Sequence, residues 1–130
     1  MQIDPAQHSA GENYKLLTNL VVPRPIAWVT SVNAAGVVNL APFSFFNAVG
    51  ANPLYLLFSV GLNEVGEPKD TAKNIIANGE FVVNLVTEEL FDAMNISAAD
   101  FPEGESELAA ANLDAAPSTL IKPPRVAACQ

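Results

Sequence analysis

A run without charge covers residues 25–63 and dominates the hydropathy pattern of the chain. Most of its residues are apolar, but asparagine, glycine and proline interrupt it repeatedly. They stand at Asn33, Gly36, Asn39, Pro42, Asn47, Gly50, Asn52 and Pro53. A membrane-spanning helix needs about 20 nearly uninterrupted apolar residues. The pattern therefore predicts short strands separated by turns.

Five segments rich in β-branched and aromatic residues are predicted to be strands. They cover residues 26–32, 37–40, 41–49 (kinked at Pro42), 54–60 and 81–86. The segment 54–60 is continuously apolar and is expected to be buried on both faces. Short turns at residues 33–36 and 52–53 join the first strands. The pattern therefore favours an antiparallel barrel or sandwich with a few helices over a doubly wound sheet.

The predicted helices are short. They cover residues 70–77, residues 88 to about 94, and residues 106–111. Asp70 is the expected N-cap of the first helix, and Gly79 is part of its stop signal. Residues 1–13 are polar and are predicted to form an N-terminal arm, whereas residues 14–22 fit either a strand or a helical turn. Residues 14–130 are expected to form one domain.

Composition and charge narrow the possible functions. The chain has 130 residues, of which 50% are hydrophobic and 15% charged, so it is expected to fold around a core. Its formal net charge is −8 at pH 7, with only six lysines and arginines. This balance argues against binding to nucleic acids and to anionic membranes. An anionic ligand would need a local positive patch.

Cysteine and histidine are almost absent. Cys129 is the single cysteine, which excludes an internal disulfide and a thiolate metal cluster. A catalytic triad would have to use His8, the single histidine, close to the N-terminus. No basic stretch followed by an apolar one opens the sequence, so no secretory signal is visible and a cytoplasmic location is expected.

The start of the helix at residues 70–77 is the clearest candidate for anion binding. Free backbone N–H groups and the positive end of the helix dipole gather there, beside the Lys69 ammonium and the Thr71 hydroxyl. The alternative is ordinary capping, in which the Asp70 carboxylate satisfies those N–H groups and Lys69 is simply solvated. The spacing of the residues leaves both interpretations open.

Polar groups also accompany aromatic rings in the middle of the uncharged run. The amides and hydroxyl belong to Asn39, Ser44 and Asn47, and the rings to Phe43, Phe45 and Phe46. Buried polar groups need hydrogen-bond partners, which a planar heterocycle could supply. The alternative is that the phenylalanines form core. The acidic residues Asp100, Glu103, Glu105 and Glu107 match no cation-binding loop and are predicted to be exposed.

Five stretches in series resemble the flavin reductase-like family of FMN-binding split-barrel proteins. They are residues 24–31 (RPIAWVTS), 39–47 (NLAPFSFFN), 58–60 (FSV), 69–71 (KDT) and 81–85 (FVVNL). The match covers roughly residues 14–126, in order and with similar spacing. It implies a mainly β fold, a six-stranded antiparallel split β-barrel with short helices, that is usually a homodimer with FMN bound noncovalently near the subunit interface.

The resemblance also implies which residues contact the cofactor. The phosphate and ribityl end would be held by Thr30, Ser31, Lys69 and Thr71. The isoalloxazine ring would face the segment with Ala41, Pro42, Phe43, Ser44 and Asn47, and would be flanked by Phe58 and Ser59. Residues 95–104 look like the family loop that approaches the flavin.

The activity implied is hydride transfer from NADH or NADPH to flavin, with a separate oxygenase component as a candidate user of the reduced flavin. The cofactor performs the hard step, so neither a histidine base nor a metal is required. Two alternatives stay open. One is a non-enzymatic FMN-binding or structural split-barrel module, and the other is an all-β assembly subunit whose polar residues merely satisfy the core.

The sequence departs from the family at its C-terminus. Family members continue beyond the segment that matches residues 123–126 with further strands. The chain is therefore expected to be truncated, with unpaired strand edges or strands borrowed from a partner, because barrel closure is what removes edges.

Overall fold

The computed structural model describes residues 2–102 and 104–129, which form seven strands and four α-helices. The helices are α1 (Ala10–Leu20), α2 (Asp70–Asn78), α3 (Phe91–Ile96) and α4 (Glu107–Ala110). The strands are β1 (Ala27–Val32), β2 (Val38–Phe43), β3 (Phe46–Ala51), β4 (Leu54–Phe58), β5 (Val82–Asn84), β6 (Ala115–Ala116) and β7 (Arg125–Val126). Single 3-10 turns cover Pro5–Gln7 and Glu88–Leu90.

The centre of the fold is an antiparallel sheet with the strand order β2-β1-β5. Strand β1 is its middle strand, which explains why Ala27, Trp28 and Val29 are fully buried. The β1–β2 turn forms as predicted. Gly36 adopts a positive φ of 81°, and the Asn33 side chain accepts hydrogen bonds from two backbone N–H groups in the turn.

The core lies between this sheet, α3, α4 and the C-terminal segment. Its buried members are Trp28, Leu40, Met94, Leu108, Val126 and Cys129. Hydrogen bonds also connect the C-terminal segment, here called the tail, to the sheet. The Val126 N–H donates to Asn84 Oδ1 at 2.8 Å, and the Thr30 hydroxyl donates to the Pro124 carbonyl. The extended tail therefore completes the core rather than lying free on the surface.

Strand β2 runs through Pro42, where the sequence predicted a separate, kinked segment. A proline removes one backbone donor, and a strand at the edge of its sheet tolerates that loss. Among the residues described, β2 is such an edge strand. The break comes instead at Ser44 and Phe45, after which β3 begins.

Strands β3 and β4 form a separate two-stranded ribbon. The prediction that the segment 54–60 is buried on both faces is wrong for this structure. Leu54 is 78% exposed, Tyr55 57% and Leu57 55%. The ribbon has only two strands, and no third strand of the described part pairs with it. Its apolar side chains therefore stay accessible to solvent.

The pairing of the strands agrees with the sequence prediction, because every strand pair is antiparallel. The fold is mainly β with short helices. In the described part of the chain, however, the sheets β2-β1-β5, β3-β4 and β6-β7 do not join into a closed barrel.

The N-terminal arm contains more structure than expected. Helix α1 begins at Ala10, inside the segment 1–13 that was predicted to be an arm. It continues to Leu20, so most of the segment 14–22, for which a strand and a helical turn were both open, is helical. A capping box that the prediction overlooked starts it. The Glu12 carboxylate accepts from the Ser9 N–H at 2.8 Å, and the Ser9 Oγ accepts from the Glu12 N–H at 3.3 Å.

Candidate functional site

A cleft of about 310 Å³ opens beside the end of β2 and the start of α2. Four groups of residues line it. They are Asn39 and Ala41–Phe43 of β2, residues 63–65 and 68–71 around the start of α2, residues 97–101 after α3, and Glu107 of α4. This volume is at the lower end of the range for small-molecule sites.

The first turn of α2 supplies the anion-binding end of this cleft. Lys69 is the N-cap residue, in an extended conformation, and its side chain makes no capping hydrogen bond. The prediction that Asp70 is the N-cap is wrong, because Asp70 is the first helical residue and its carboxylate lies 3.1 Å from Lys73 Nζ. Within the described chain, no side chain caps these N–H groups, and an anion would complete them.

Lys69 brings a positive charge to this helix start, because it is the N-cap residue. Its ammonium lies 3.4 Å from Asp100 across the cleft, and the two side chains are 40% and 71% exposed. Ion pairs with this much solvent contact contribute about 0 to 1 kcal/mol. An anionic ligand can therefore compete with Asp100 for Lys69 at little cost.

A buried polar network lies under the same cleft. The Asn39 amide is 2.9 Å from the Thr71 hydroxyl oxygen and, in the orientation that satisfies its neighbours, donates to Glu107 Oε1 at 3.3 Å. Glu107 Oε2 accepts from the Leu40 N–H at 2.8 Å. The network thus joins the first turns of α2 and α4 to β2.

Asp100, Glu103, Glu105 and Glu107 were predicted to be exposed, and for Glu107 this prediction is wrong. Its exposed fraction is 7%. Burial raises the pKa of this carboxyl, and the nearby Asp70 charge raises it further, whereas the backbone hydrogen bonds from Leu40 and from Glu107 itself lower it. The net direction is upward, so the site contains a carboxyl that holds its proton more tightly than an exposed one. Glu103 lies outside the described residues.

Glu107→Gln is expected to stabilise the fold at neutral pH. Because the native pKa is raised, the native state binds more protons than the unfolded chain, and stability declines as pH rises from the unfolded pKa through the native one. Glutamine retains an acceptor for the Leu40 N–H but does not titrate. Urea unfolding of both proteins between about pH 4 and pH 8 should show the wild type losing stability relative to the variant as pH rises. Parallel curves would contradict this assignment.

Five of the residues predicted to bind the cofactor meet at the cleft. They are Ala41, Pro42, Phe43, Lys69 and Thr71. Phe58 lies behind that wall, with its ring centroid 5.4 Å from Phe43 and 5.1 Å from Phe81. Residues 97–101, which belong to the predicted loop, form the facing wall.

Ser44, Asn47 and Ser59 line a second cavity of about 540 Å³ instead. Arg24 lies there as well. Its Nε donates to Ser44 Oγ at 3.3 Å, and the guanidinium carbon lies 5.9 Å from the centroid of the Phe45 ring. Phe43 lines the cleft and the next residue, Ser44, lines the second cavity. The two sites therefore meet at this point of the chain.

Thr30 and Ser31 lie inside the protein and do not line the cleft. Both are fully buried. The Thr30 hydroxyl bonds the tail, and Ser31 Oγ accepts from Asn74 Nδ2 at 3.1 Å. The structure therefore gives these hydroxyls protein partners, and their assignment to the phosphate stays a prediction.

Several residues of the cleft were not predicted as individual site residues, among them Glu107, Ser97 and Phe101. Ser97 is held from the core, since Trp28 Nε1 donates to its Oγ at 2.8 Å and that hydroxyl donates to the Met94 carbonyl. The sequence carried no local signal for Glu107, because its burial beside Leu108 and Ala111 depends on contacts with distant residues.

Residues 2–102 and 104–129 contain neither a membrane-spanning helix nor a metal-binding cluster. No helix there is both long and apolar enough to cross a membrane. No group of three or more histidine, cysteine or carboxylate side chains in that part could hold a metal ion.

Comparison with known proteins adds independent evidence. The family model described as "Flavin reductase like domain" matches residues 19–130. An uncharacterised protein of Halalkalibacterium halodurans is 46% identical over 127 residues, which cover 98% of this chain and 61% of that protein. The chain spans 61% of the length of that protein, and 58% of the length of each of two further relatives, from Aquifex aeolicus and Bacillus subtilis.

Solved structures agree with the family match. Nitrilotriacetate monooxygenase component B from Bacillus cereus superposes with a TM-score of 0.93 at 44% identity, over 99% of this chain and 63% of that one. A flavin reductase-type structure with a split barrel domain from Shewanella frigidimarina gives a TM-score of 0.81 at 18% identity, over 100% of this chain and 65% of that one. The second likeness shows the fold alone.

Proposed function

The chain belongs to the flavin reductase-like family, and on that premise we propose that it binds FMN noncovalently in the cleft between β2 and α2. Its activity would be NAD(P)H:flavin oxidoreduction. The observation that carries the proposal is the start of α2, where backbone N–H groups without a side-chain cap lie beside Lys69. A phosphate group would satisfy both the dipole and the free donors.

The residues of the cleft fit such a ligand. Lys69 and the backbone of Asp70 and Thr71 would hold the phosphate, while Pro42 and Phe43 would offer an apolar surface to the ring. When bound, the flavin supplies a hydride acceptor, and the nicotinamide supplies the hydride. The chain's own task is to hold the ring in place and to exclude water.

Assembly and location follow as parts of the same proposal. The exposed apolar ribbon β3–β4 supports a homodimer, because such a surface is better covered than left in water. The similarity to a monooxygenase component supports an oxygenase as the partner that uses the reduced flavin. We place the protein in the cytoplasm, where NADH and NADPH are abundant.

A non-enzymatic FMN-binding module is the second candidate. Ser44 and Asn47 line the second cavity, so the cleft contains only part of the predicted ring-binding segment. An incomplete ring site favours binding of the flavin without positioning it for hydride transfer. The two candidates differ in one measurement. Loss of the visible absorbance of bound flavin on adding NADH or NADPH supports the enzyme, whereas bound flavin that does not respond to either supports the module.

Replacing both Lys69 and Thr71 with alanine is expected to weaken FMN binding at least about tenfold, since a hydrogen bond to a charged group contributes about 1.5–3 kcal/mol. Riboflavin, which lacks the phosphate, should bind both proteins equally. Quenching of flavin fluorescence measures both affinities. The matched control is Lys122→Ala, which removes an exposed lysine elsewhere. Unchanged FMN affinity in the double variant would mean that the start of α2 is not the phosphate site.

A further inference from the structure

Glu107, Asn39 and Thr71 form a chain of hydrogen bonds beneath the proposed phosphate site. Their exposed fractions are 7%, 9% and 1%. One end of the Asn39 amide lies 3.3 Å from Glu107 Oε1 and the other lies 2.9 Å from Thr71 Oγ1. The other carboxylate oxygen of Glu107 is fixed by the Leu40 N–H. What can still change is the orientation of the Asn39 amide and the positions of the protons along the three side chains.

An ionised Glu107 fixes that direction in one way. A carboxylate only accepts hydrogen bonds, so Asn39 must turn its NH₂ group toward Glu107 and its carbonyl oxygen toward Thr71. The Thr71 hydroxyl then donates to Asn39. Its single hydrogen is used inside the protein and is not available to a ligand.

A protonated Glu107 reverses the chain. The carboxylic acid donates through Oε1 to the Asn39 carbonyl oxygen, and the Asn39 NH₂ donates to Thr71 Oγ1 at the same separation of 2.9 Å. The Thr71 hydrogen is then released from Asn39, and Thr71 is one of the residues that line the cleft. The reversed Asn39 amide places its NH₂ group 3.3 Å from the Leu40 nitrogen, and the Leu40 N–H keeps Glu107 Oε2 as its acceptor. Only the two amide atoms exchange places.

We infer that Glu107 is a positioning residue that acts through Asn39, and that its protonation turns the Thr71 hydroxyl into a donor for an anion bound at the start of α2. The inference rests on the proposed function, because FMN phosphate is the anion meant. Since the protonated form binds the anion better, binding takes up a proton, and FMN affinity falls as pH rises.

Other charged groups surround the three hydrogen-bonded side chains. Asp70 and Lys73 of α2 pair with each other, Lys69 pairs with Asp100, and Glu64 also lines the cleft. Glu105 lies near Asn39 in an adjoining cavity. All of them remain in a Glu107→Gln variant. A comparison of that variant with the wild type at one pH therefore isolates Glu107 from these groups and from the titration of the FMN phosphate itself, whose second pKa is about 6.

The test is a double-mutant cycle read by FMN fluorescence quenching over a series of pH values. In Glu107→Gln the new side-chain amide would donate to Asn39 permanently, as protonated Glu107 does. This variant is therefore expected to bind FMN about tenfold more tightly than wild type at about pH 8, and equally at the lowest pH. In a Thr71→Val background the gain should fall below about twofold. Thr71→Ser, which keeps the hydroxyl, should keep the full gain.

Three results would overturn the inference. FMN affinity of Glu107→Gln that equals wild type at about pH 8 shows that the carboxyl does not control the site. If Glu107→Gln improves FMN affinity as much in the Thr71→Val background as in the wild type, the Glu107 carboxylate acts by repelling the phosphate and not through the Thr71 hydroxyl. Absence of FMN binding to the wild type at every pH overturns the proposed function together with this inference, whereas FMN binding without coupling overturns the inference alone.

Discussion

Trp28→Ala is expected to lower the free energy of unfolding by about 3–5 kcal/mol, the range for removing a large aromatic side chain from a packed core. Trp28 is fully buried and belongs to the main core cluster with Leu40, Met94 and Val126. The same side chain holds Ser97, so we also expect weaker FMN binding as the wall of residues 97–101 loosens. Chemical unfolding and a flavin titration measure the two effects.

Two control variants separate the contributions of Trp28. Trp28→Phe keeps an aromatic ring but removes the indole N–H that Ser97 accepts, and it should cost clearly less than the alanine variant. Phe91→Ala truncates a ring that is 55% exposed. If Trp28→Ala were no more damaging to stability than Phe91→Ala, the central position of Trp28 in the core would be wrong.

Asn84→Ala is expected to cost about 2–5 kcal/mol, because it leaves more than one buried backbone group without a partner, at about 1–3 kcal/mol each. Asn84 Nδ2 donates to the Trp28 carbonyl at 2.9 Å, and its Oδ1 accepts from the Val126 N–H at 2.8 Å. Its side chain is 3% exposed. Urea unfolding measures the loss of stability, and hydrogen exchange should show the tail with Val126 released first.

Asn78→Ala provides the matched control for Asn84→Ala. Asn78 is exposed and donates one hydrogen bond to the Val32 carbonyl at 2.6 Å. Water can replace that bond, so the control should change stability by less than about 1 kcal/mol. Equal losses in the two variants would mean that the bonds of Asn84 do not fasten the tail to the sheet.

Local patterns predicted much of the fold. The β-branched segment around Val29, the Asn33–Gly36 turn and the glycine that ends α2 all rest on short-range physics, and each forms where it was expected. Burial was harder to predict. The apolar residues of β4 look like core because hydropathy does not show which element covers a strand, and the described part of the chain has no third strand paired with that ribbon.

The candidate site shows the same division. Lys69 and Thr71 could be singled out because a helix start and its neighbours are close in sequence. The role of Glu107 could not, since its partners Asn39 and Leu40 are about 67 residues away, and the carboxylate differs from an exposed one only through that contact. The sequence also did not predict that Phe43 and Ser44 line different cavities. Strand β2 ends at Phe43, so the side chains on either side of this break point in different directions.

Pro42 has a consequence for how the chain behaves at high concentration. An edge strand presents a row of donors and acceptors that can recruit another polypeptide and seed cross-β growth. With proline in place of a donor, the row on β2 is interrupted beside the cleft. Pro42, which lines the cleft, is therefore also expected to hinder cross-β pairing along this strand.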